Sequence, residues 1–331
     1  MSNVILSVED LKTHFPVREG IFKRSSKSVL ALDGVSFQIK KGETLGIVGE
    51  SGCGKTTLGR TIVNIYTPVA GKVVFKDICI SNLGNKKMRS VRKYMQMIFQ
   101  DPLESLNPRH TVRYILEEPF VIHKICSRTE RLERVKKLLN IVGLPENALD
   151  KFPHEFSGGQ RQRIGIARAV SLNPELIICD EPVSALDVSI QSQIINLLLD
   201  LQNEFNLTYM FISHDLTVVR HVSDKIAVMY LGRIVEMTDA DSIYSNSLHP
   251  YTKALISAIP EPVPGKEENR IILKGNVPSP VSPPSGCHFR TRCPIASEIC
   301  ASEYPELKNY SKNMNEHLVA CHFADNADNG K

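Results

Sequence analysis

Gly49-Glu50-Ser51-Gly52-Cys53-Gly54-Lys55-Thr56-Thr57 is the stretch on which the fold turns. It sits between the apolar run Thr44–Val48 and residues 55–64, whose composition is helical, so the order is strand, glycine-rich loop, helix. The spacing G-x-x-x-x-G-K-T is that of a Walker A phosphate loop. Glycines let successive backbone N–H groups curl round anionic phosphates, and the helix N-terminus adds its positive dipole end. Lys55 then reaches the β and γ phosphates and the Thr56 hydroxyl serves Mg²⁺. The bland alternative is a glycine-rich turn that happens to precede a helix; the full spacing in that context argues against it.

Two further elements suit the same chemistry. Leu176-Ile-Ile-Cys-Asp180-Glu181 reads as a buried strand ending in two carboxylates. Asp180 would hold Mg²⁺ through water and Glu181 would polarise an attacking water, since phosphoryl transfer depends on positioning and charge stabilisation. Alone, two acids at a strand end would equally cap a helix. Ser157-Gly158-Gly159-Gln160-Arg161 precedes a helical stretch and offers a second set of backbone donors, although Gly158-Gly159 read alone would be a helix C-cap. One nucleotide does not need two cradles in one molecule, so the second is expected to serve a partner copy's nucleotide.

Outward from these motifs, Val35, Phe37 and Ile39 alternate with polar residues, the period of half-buried strands, so a mixed β layer opens the chain. Residues 101–169 read as an inserted helical subdomain, interrupted by Pro119, Pro145 and Pro153. Buried-type strands at 176–179 and 208–213, separated by a helix at 190–205, indicate a parallel sheet with crossovers. A hairpin at Leu231-Gly232, with strands 226–230 and 233–237, closes the main domain near residue 245. Pro260, Pro262, Pro264, Pro278, Pro280, Pro283 and Pro284 then predict extended, surface-wrapping backbone. The fold class is therefore α/β.

Composition narrows the function further. The formal charge of +4 is small against 40 basic and 36 acidic side chains, which excludes the basic excess of a dedicated nucleic-acid binder. The cluster Lys86, Lys87, Arg89, Arg92, Lys93 reads as a solvated face. No apolar stretch approaches the roughly 18 residues needed to span a bilayer, and Glu9, Asp10 and Lys12 interrupt any export signal, so the chain is expected in the reducing cytosol. Eight cysteines there do not predict a disulfide framework, yet Cys287, Cys293, Cys300 and Cys321 crowd the tail, with five, six and twenty residues between them. That spacing matches no common zinc finger but supplies four soft ligands. Cys53, Cys79, Cys126 and Cys179 read as packing or loop residues.

Over residues 1–245 the motifs together resemble the ATP-binding cassette (ABC) ATPases. The resemblance implies a P-loop NTPase with a RecA-like core, an antiparallel β subdomain, a helical subdomain at about 101–169 and a Cys-containing C-terminal extension at 246–331. It makes Ser157, Gly158, Gly159 and Gln160 the signature motif acting across a dimer seam, with Phe156 where the family more often has Leu. Gln100 resembles the Q-loop glutamine that senses Mg²⁺ and water, Ser184 and Asp187 bound the D-loop, and His214 resembles the switch histidine on the γ-phosphate. Phe15 matches the aromatic residue that stacks on adenine; an ordinary packing Phe is the alternative.

Gln100-Asp-Pro-Leu-Glu-Ser-Leu-Asn-Pro-Arg109, His249-Pro-Tyr-Thr-Lys-Ala-Leu255 and Cys287-His-Phe-Arg-Thr-Arg-Cys-Pro294 resemble the ATPases of oligopeptide and dipeptide importers. Arg109 and the Gly-Cys-Gly-Lys loop favour the OppF/DppF type over the OppD/DppD type. The resemblance implies a peripheral protein on the cytoplasmic face of the membrane, partnered by two integral permeases, a second and non-identical OppD/DppD-type ATPase and an extracytoplasmic solute-binding protein, with no nucleic acid. Nickel and glutathione importers share the extension, so they are the alternative cargoes; a soluble ABC protein or an exporter ATPase are the competing classes. The extension further implies a [4Fe–4S] cluster on Cys287, Cys293, Cys300 and Cys321, with Zn²⁺ or four unligated thiols as the other readings.

Overall fold

The computed structural model describes residues 3–19, 23–259, 270–311 and 316–325. The chain forms two compact units: residues 1–3, 40–43 and 83–212, and residues 4–39, 44–82 and 213–331.

The first unit holds three parallel strands, Met95–Ile98, Leu176–Asp180 and Thr208–Ile212, with Met95 opposite Leu176 and Leu176 opposite Thr208. Every residue of the second and third strands is buried, as their near-continuous apolar sequence requires of strands covered on both faces. The crossover helix Val188–Phe205 buries Ile194, Leu198 and Leu201, and ends at Asn206 in the left-handed conformation that asparagine tolerates. Helices Val112–Ile122, Arg128–Ile141 and Gly158–Val170 make up most of the inserted helical region.

Pro119 does not interrupt this region as the sequence suggested; it lies inside Val112–Ile122. The helix loses one N–H bond there but turns on for one more step, because the Pro119 carbonyl accepts from the His123 N–H at 3.1 Å. The real boundary comes at Ser127, whose hydroxyl accepts from the Glu130 N–H while the Glu130 carboxylate accepts from the Ser127 N–H, a capping box that starts Arg128–Ile141.

The second unit contains an antiparallel sheet in the order Lys23–Lys40, Val4–Glu19, Ala70–Phe75, Ile78–Cys79. Leu6 faces Phe75 and Val8 faces Val73 across it. Lys76 and Asp77, both at positive φ, form the two-residue turn that lets the strands follow their natural twist. Thr44–Val48 runs parallel to Lys225–Tyr230, which returns antiparallel through Leu231-Gly232 as Arg233–Asp239. Leu318–Val319 adds to the outer edge of Arg233–Asp239, and Lys308–Asn309 to that in turn.

The tail is thus built into the second unit. Helix Pro250–Ser257 starts with Pro250 where a missing N–H costs nothing, and buries Tyr251 and Ala254. Pro278, Pro283 and Pro284 lie in chain without regular structure and Pro280 in a turn, and the Pro280 carbonyl accepts from the Leu30 N–H at 2.9 Å. Pro260, Pro262 and Pro264 lie outside the described residues.

Candidate active site

In the second unit, the loop from Gly49 leaves the buried strand Thr44–Val48 and enters helix Lys55–Ile62. Gly54 has φ +106°, and a Cβ there would stand 2.3 Å from the Ala31 carbonyl oxygen. Gly49 meets the Met229 carbonyl at the same distance. Only glycine fits either place, so the loop's tightness follows from its sequence. The helix N-terminus has no side-chain cap hydrogen bond, and a helix N-terminus is a setting in which an anion can dock.

Lys55 is buried, and its ammonium donates to the carbonyls of Gly49 at 2.7 Å and Glu50 at 3.1 Å, lying along the inner side of its own loop. Cys53 is buried beneath, its thiol pushed up in pKa mainly by desolvation, and its carbonyl accepts from the Gly232 N–H at 2.9 Å. Thr56 and Thr57 are half-buried in the first turn, whereas Ser51 and Gly52 are exposed. Phe15 packs its ring edge-on against Tyr66, centroids 5.1 Å apart, and stays half-buried. His214 is exposed on the loop after Thr208–Ile212, next to Asp215, which caps helix Leu216–Val222 by accepting from the Thr217 and Val218 N–H groups.

In the first unit, Asp180 ends its strand fully buried. Glu181 follows at φ +46°, a left-handed conformation costing a non-glycine residue about 1–2 kcal/mol. It is held there from three sides: its N–H donates to the Ile212 carbonyl at 2.9 Å, its carbonyl accepts from the Ser184 hydroxyl at 3.1 Å, and its carboxylate accepts from the Gln100 amide at 3.1 Å. Gln100 and Ser184, 81 and three residues from Glu181 in sequence, therefore meet on one residue, Gln100 at its carboxylate and Ser184 at its backbone carbonyl. Such strain, fixed by surrounding bonds, is characteristic of reactive positions. Asp187, exposed, precedes helix Val188–Phe205.

Ser157 caps helix Gly158–Val170: its hydroxyl accepts from the Gln160 N–H at 3.3 Å while its own N–H donates to Gln160 Oε1 at 3.0 Å. Gly158 and Gly159 therefore open a helix instead of closing one. A Cβ on Gly159 would lie 2.5 Å from Ile190 Cγ2, so this helix start needs glycine to sit against Val188–Phe205. Phe156 is buried, which gives its departure from the family's Leu a packing role.

The four-cysteine expectation is corrected. Among the described residues no group of three or more His, Cys, Asp or Glu side chains is disposed to hold a metal ion, so neither an iron–sulfur cluster nor a zinc ion is assigned to Cys287, Cys293, Cys300 and Cys321. All four are free thiols. Burial pushes the Cys287 and Cys293 thiols each up to about 11, and raises Cys321 as well. The Cys287 N–H donates to the Cys300 carbonyl at 2.8 Å, and Cys300 is buried.

Sequence reasoning did not identify the tail residues that reach the phosphate loop. The Tyr251 hydroxyl accepts from the Glu50 N–H at 2.9 Å, and Arg292 grips the Glu50 carboxylate with both terminal nitrogens, at 2.6 and 2.9 Å. Both lie in stretches that stood out in the sequence, but nothing local in them names a partner more than two hundred residues away.

With this geometry in view, the comparisons fall into place. Residues 32–184 match the family described as ABC transporter, and residues 235–300 match the one described as oligopeptide/dipeptide transporter, C-terminal region. The fold resembles the dimeric ATP-binding cassette MJ0796 bound to ADP and Pi (TM-score 0.63, 28% identity, covering 71% of this chain and 99% of that one). It resembles cbiO1 of Clostridium perfringens, part of the ABC transporter complex cbiONQ, to the same degree (TM-score 0.63, 28% identity, 74% and 92%). An ABC-type P-loop ATPase is the class that fold and site define.

More particularly, the chain belongs to the oligopeptide-transport branch of the ABC ATP-binding subunits. It is 58% identical to the oligopeptide transport ATP-binding protein AppF of Bacillus subtilis, over 96% of this chain and 97% of that one. Against the OppF proteins of Salmonella typhimurium and Escherichia coli it is 52% and 51% identical, each over 96% of both chains. No helix among the described residues is long and apolar enough to cross a membrane.

Proposed function

We propose that this chain binds and hydrolyses ATP to power uptake of peptides through a membrane permease pair, in company with a second, non-identical ATPase and an extracytoplasmic solute-binding protein. The observation that carries the reading is the Gln100–Glu181 contact at a strained strand end, in a chain that also holds a glycine-locked phosphate loop. Peptide cargo is favoured over nickel or glutathione by the relatives, which are oligopeptide transport ATP-binding proteins. We take residues 1–245 as the cassette, with its helical subdomain at about 101–169, and residues 246–331 as the extension. The protein would work at the cytoplasmic face of the membrane.

The proposed roles follow the chemistry of each group. The Gly49–Thr57 loop would bind the phosphates, with Lys55 leaving its carbonyl partners for the β and γ oxygens. Thr56, Gln100 and Asp180 offer a hydroxyl, an amide oxygen and a carboxylate. That hard-oxygen set with a single acid suits Mg²⁺, which usually completes its shell from water and substrate phosphates. Bound there, Mg²⁺ would neutralise phosphate charge. Glu181 would accept hydrogen-bonding from the attacking water and hold it in line, its carboxylate aimed by Gln100. His214 would contact the γ-phosphate, Phe15 the adenine, and Ser157 with Gly158 and Gly159 the nucleotide of a partner ATPase, with Ser184 and Asp187 at that seam. The direct experiment is reconstitution: the chain co-purified with two permeases and a second ATPase should show peptide- and binding-protein-stimulated ATP hydrolysis. Association with ribosomes or DNA in place of permeases would overturn the transport reading.

A further inference from the structure

Glu50 is the second residue of the phosphate loop, and the tail holds it by both backbone and side chain. Its N–H is bonded by Tyr251 and its carboxylate by the two-pronged guanidinium of Arg292, whose side chain is only 8% exposed. Beneath them Tyr230, Tyr251 and Phe289 are fully buried and pack edge-on or tilted, with centroids 4.8–5.3 Å apart. Arg292 also lies over the Tyr230 ring at 5.9 Å. The Glu50 carbonyl is one of the two carbonyls that accept from the Lys55 ammonium, so the same residue links Arg292 to that lysine.

We propose that Arg292 is a positioning residue for the nucleotide: through Glu50 the tail sets the path of the phosphate loop and cancels a carboxylate that would otherwise stand, unneutralised, beside a triphosphate. This rests on the reading that Gly49–Thr57 binds ATP. Two physical effects act in the same direction. A bidentate Arg–carboxylate pair fixes orientation as well as distance, so the loop's donors stay aimed without the nucleotide having to order them. Removing the guanidinium also leaves a half-buried anion whose repulsion falls on the incoming phosphates.

The test is binding of a fluorescent ATP analogue with Mg²⁺ to the purified full chain, with folding followed by circular dichroism. Arg292→Ala is expected to weaken binding by about tenfold or more. Arg292→Lys, which keeps the charge but not the fork, should fall between the two. Glu50→Gln/Arg292→Ala, which removes the stranded carboxylate, should bind more tightly than Arg292→Ala alone. In the assembled transporter the single variant should raise KM for ATP more than it lowers kcat. Wild-type affinity in folded Arg292→Ala would overturn the inference, as would a double variant no better than the single one. Should Arg292→Ala fail to fold, Arg292→Lys decides against the wild type: weaker binding supports the inference and wild-type affinity overturns it. Absence of binding by the wild-type chain would instead sink the ATP-site reading itself.

Discussion

Gln100 Nε2 donates to Glu181 Oε2 across 3.1 Å, joining the end of strand Met95–Ile98 to the end of strand Leu176–Asp180. The two strands are paired, so the bond lies where a parallel sheet brings its carboxyl-terminal loops together. In open α/β sheets that edge is where ligands bind.

Glu181→Gln keeps the shape and the hydrogen bond to a side-chain oxygen but removes the charge that polarises water. Steady-state hydrolysis is expected to fall about 10²- to 10⁴-fold, with nucleotide binding retained. Unchanged turnover in a phosphate-release assay would remove Glu181 from its role.

Gly54→Ala forces a Cβ to 2.3 Å from the Ala31 carbonyl at φ +106°. The loop must shift, so ATP affinity should drop sharply and thermal stability should fall by about 1–3 kcal/mol. Gly52→Ala is the control: nothing lies within 4 Å of its Cβ, and only its φ of +78° is strained. Equal losses of affinity in both would show that backbone strain, and not the Ala31 contact, governs the loop.

Glu236 is fully buried and accepts from the Leu248 N–H at 2.7 Å and the His249 N–H at 3.0 Å, with His317 Nε2 at 2.8 Å. Glu236→Ala strands three polar groups in the interior, at a cost of about 3–5 kcal/mol. Urea unfolding measures it; a loss below about 1 kcal/mol, the range of an exposed pair, would contradict the burial.

His249 is held to about 4 by burial, only partly offset by the Glu236 charge. Its Nδ1 accepts from the Tyr251 N–H at 3.1 Å, a bond that only the neutral ring makes. The unfolded chain, with an ordinary histidine, binds a proton between about pH 6.5 and 4 that the folded chain refuses. This group therefore contributes its full stability above about pH 6.5, and the contribution is lost as pH falls toward 4. His249→Asn, which can still accept that bond, should flatten the stability-against-pH curve across the window; an unaltered slope would show that other groups set it.

How far the sequence carried depended on the range of the interactions. Strand Thr44–Val48, the start of the helix at Lys55 and the Leu231-Gly232 hairpin were legible because glycine placement and apolar runs act within a few residues. Pro119 misled, since one proline near a helix's last turn costs a single bond that neighbouring packing outweighs. Glu181 could be singled out as an acid at a strand end, but its left-handed backbone could not, because the bonds to Ile212 and from Gln100 that help hold it are tertiary. The cysteines failed as well: composition counts donors, and among the described residues no group of three or more is disposed to hold a metal ion.

The two-residue strand Leu318–Val319 looks too slight to matter, yet it is hydrogen-bonded along Glu236 and Met237, and Val319 is fully buried. Excising the segment that carries it, in the hope of a minimal cassette, would strip a long inner strand of its neighbour and bare Val235 and Met237 beside unpaired backbone. A chain shortened in that way would have a sticky flank ready to recruit other molecules edge to edge, so it should precipitate during expression sooner than it yields a simpler enzyme.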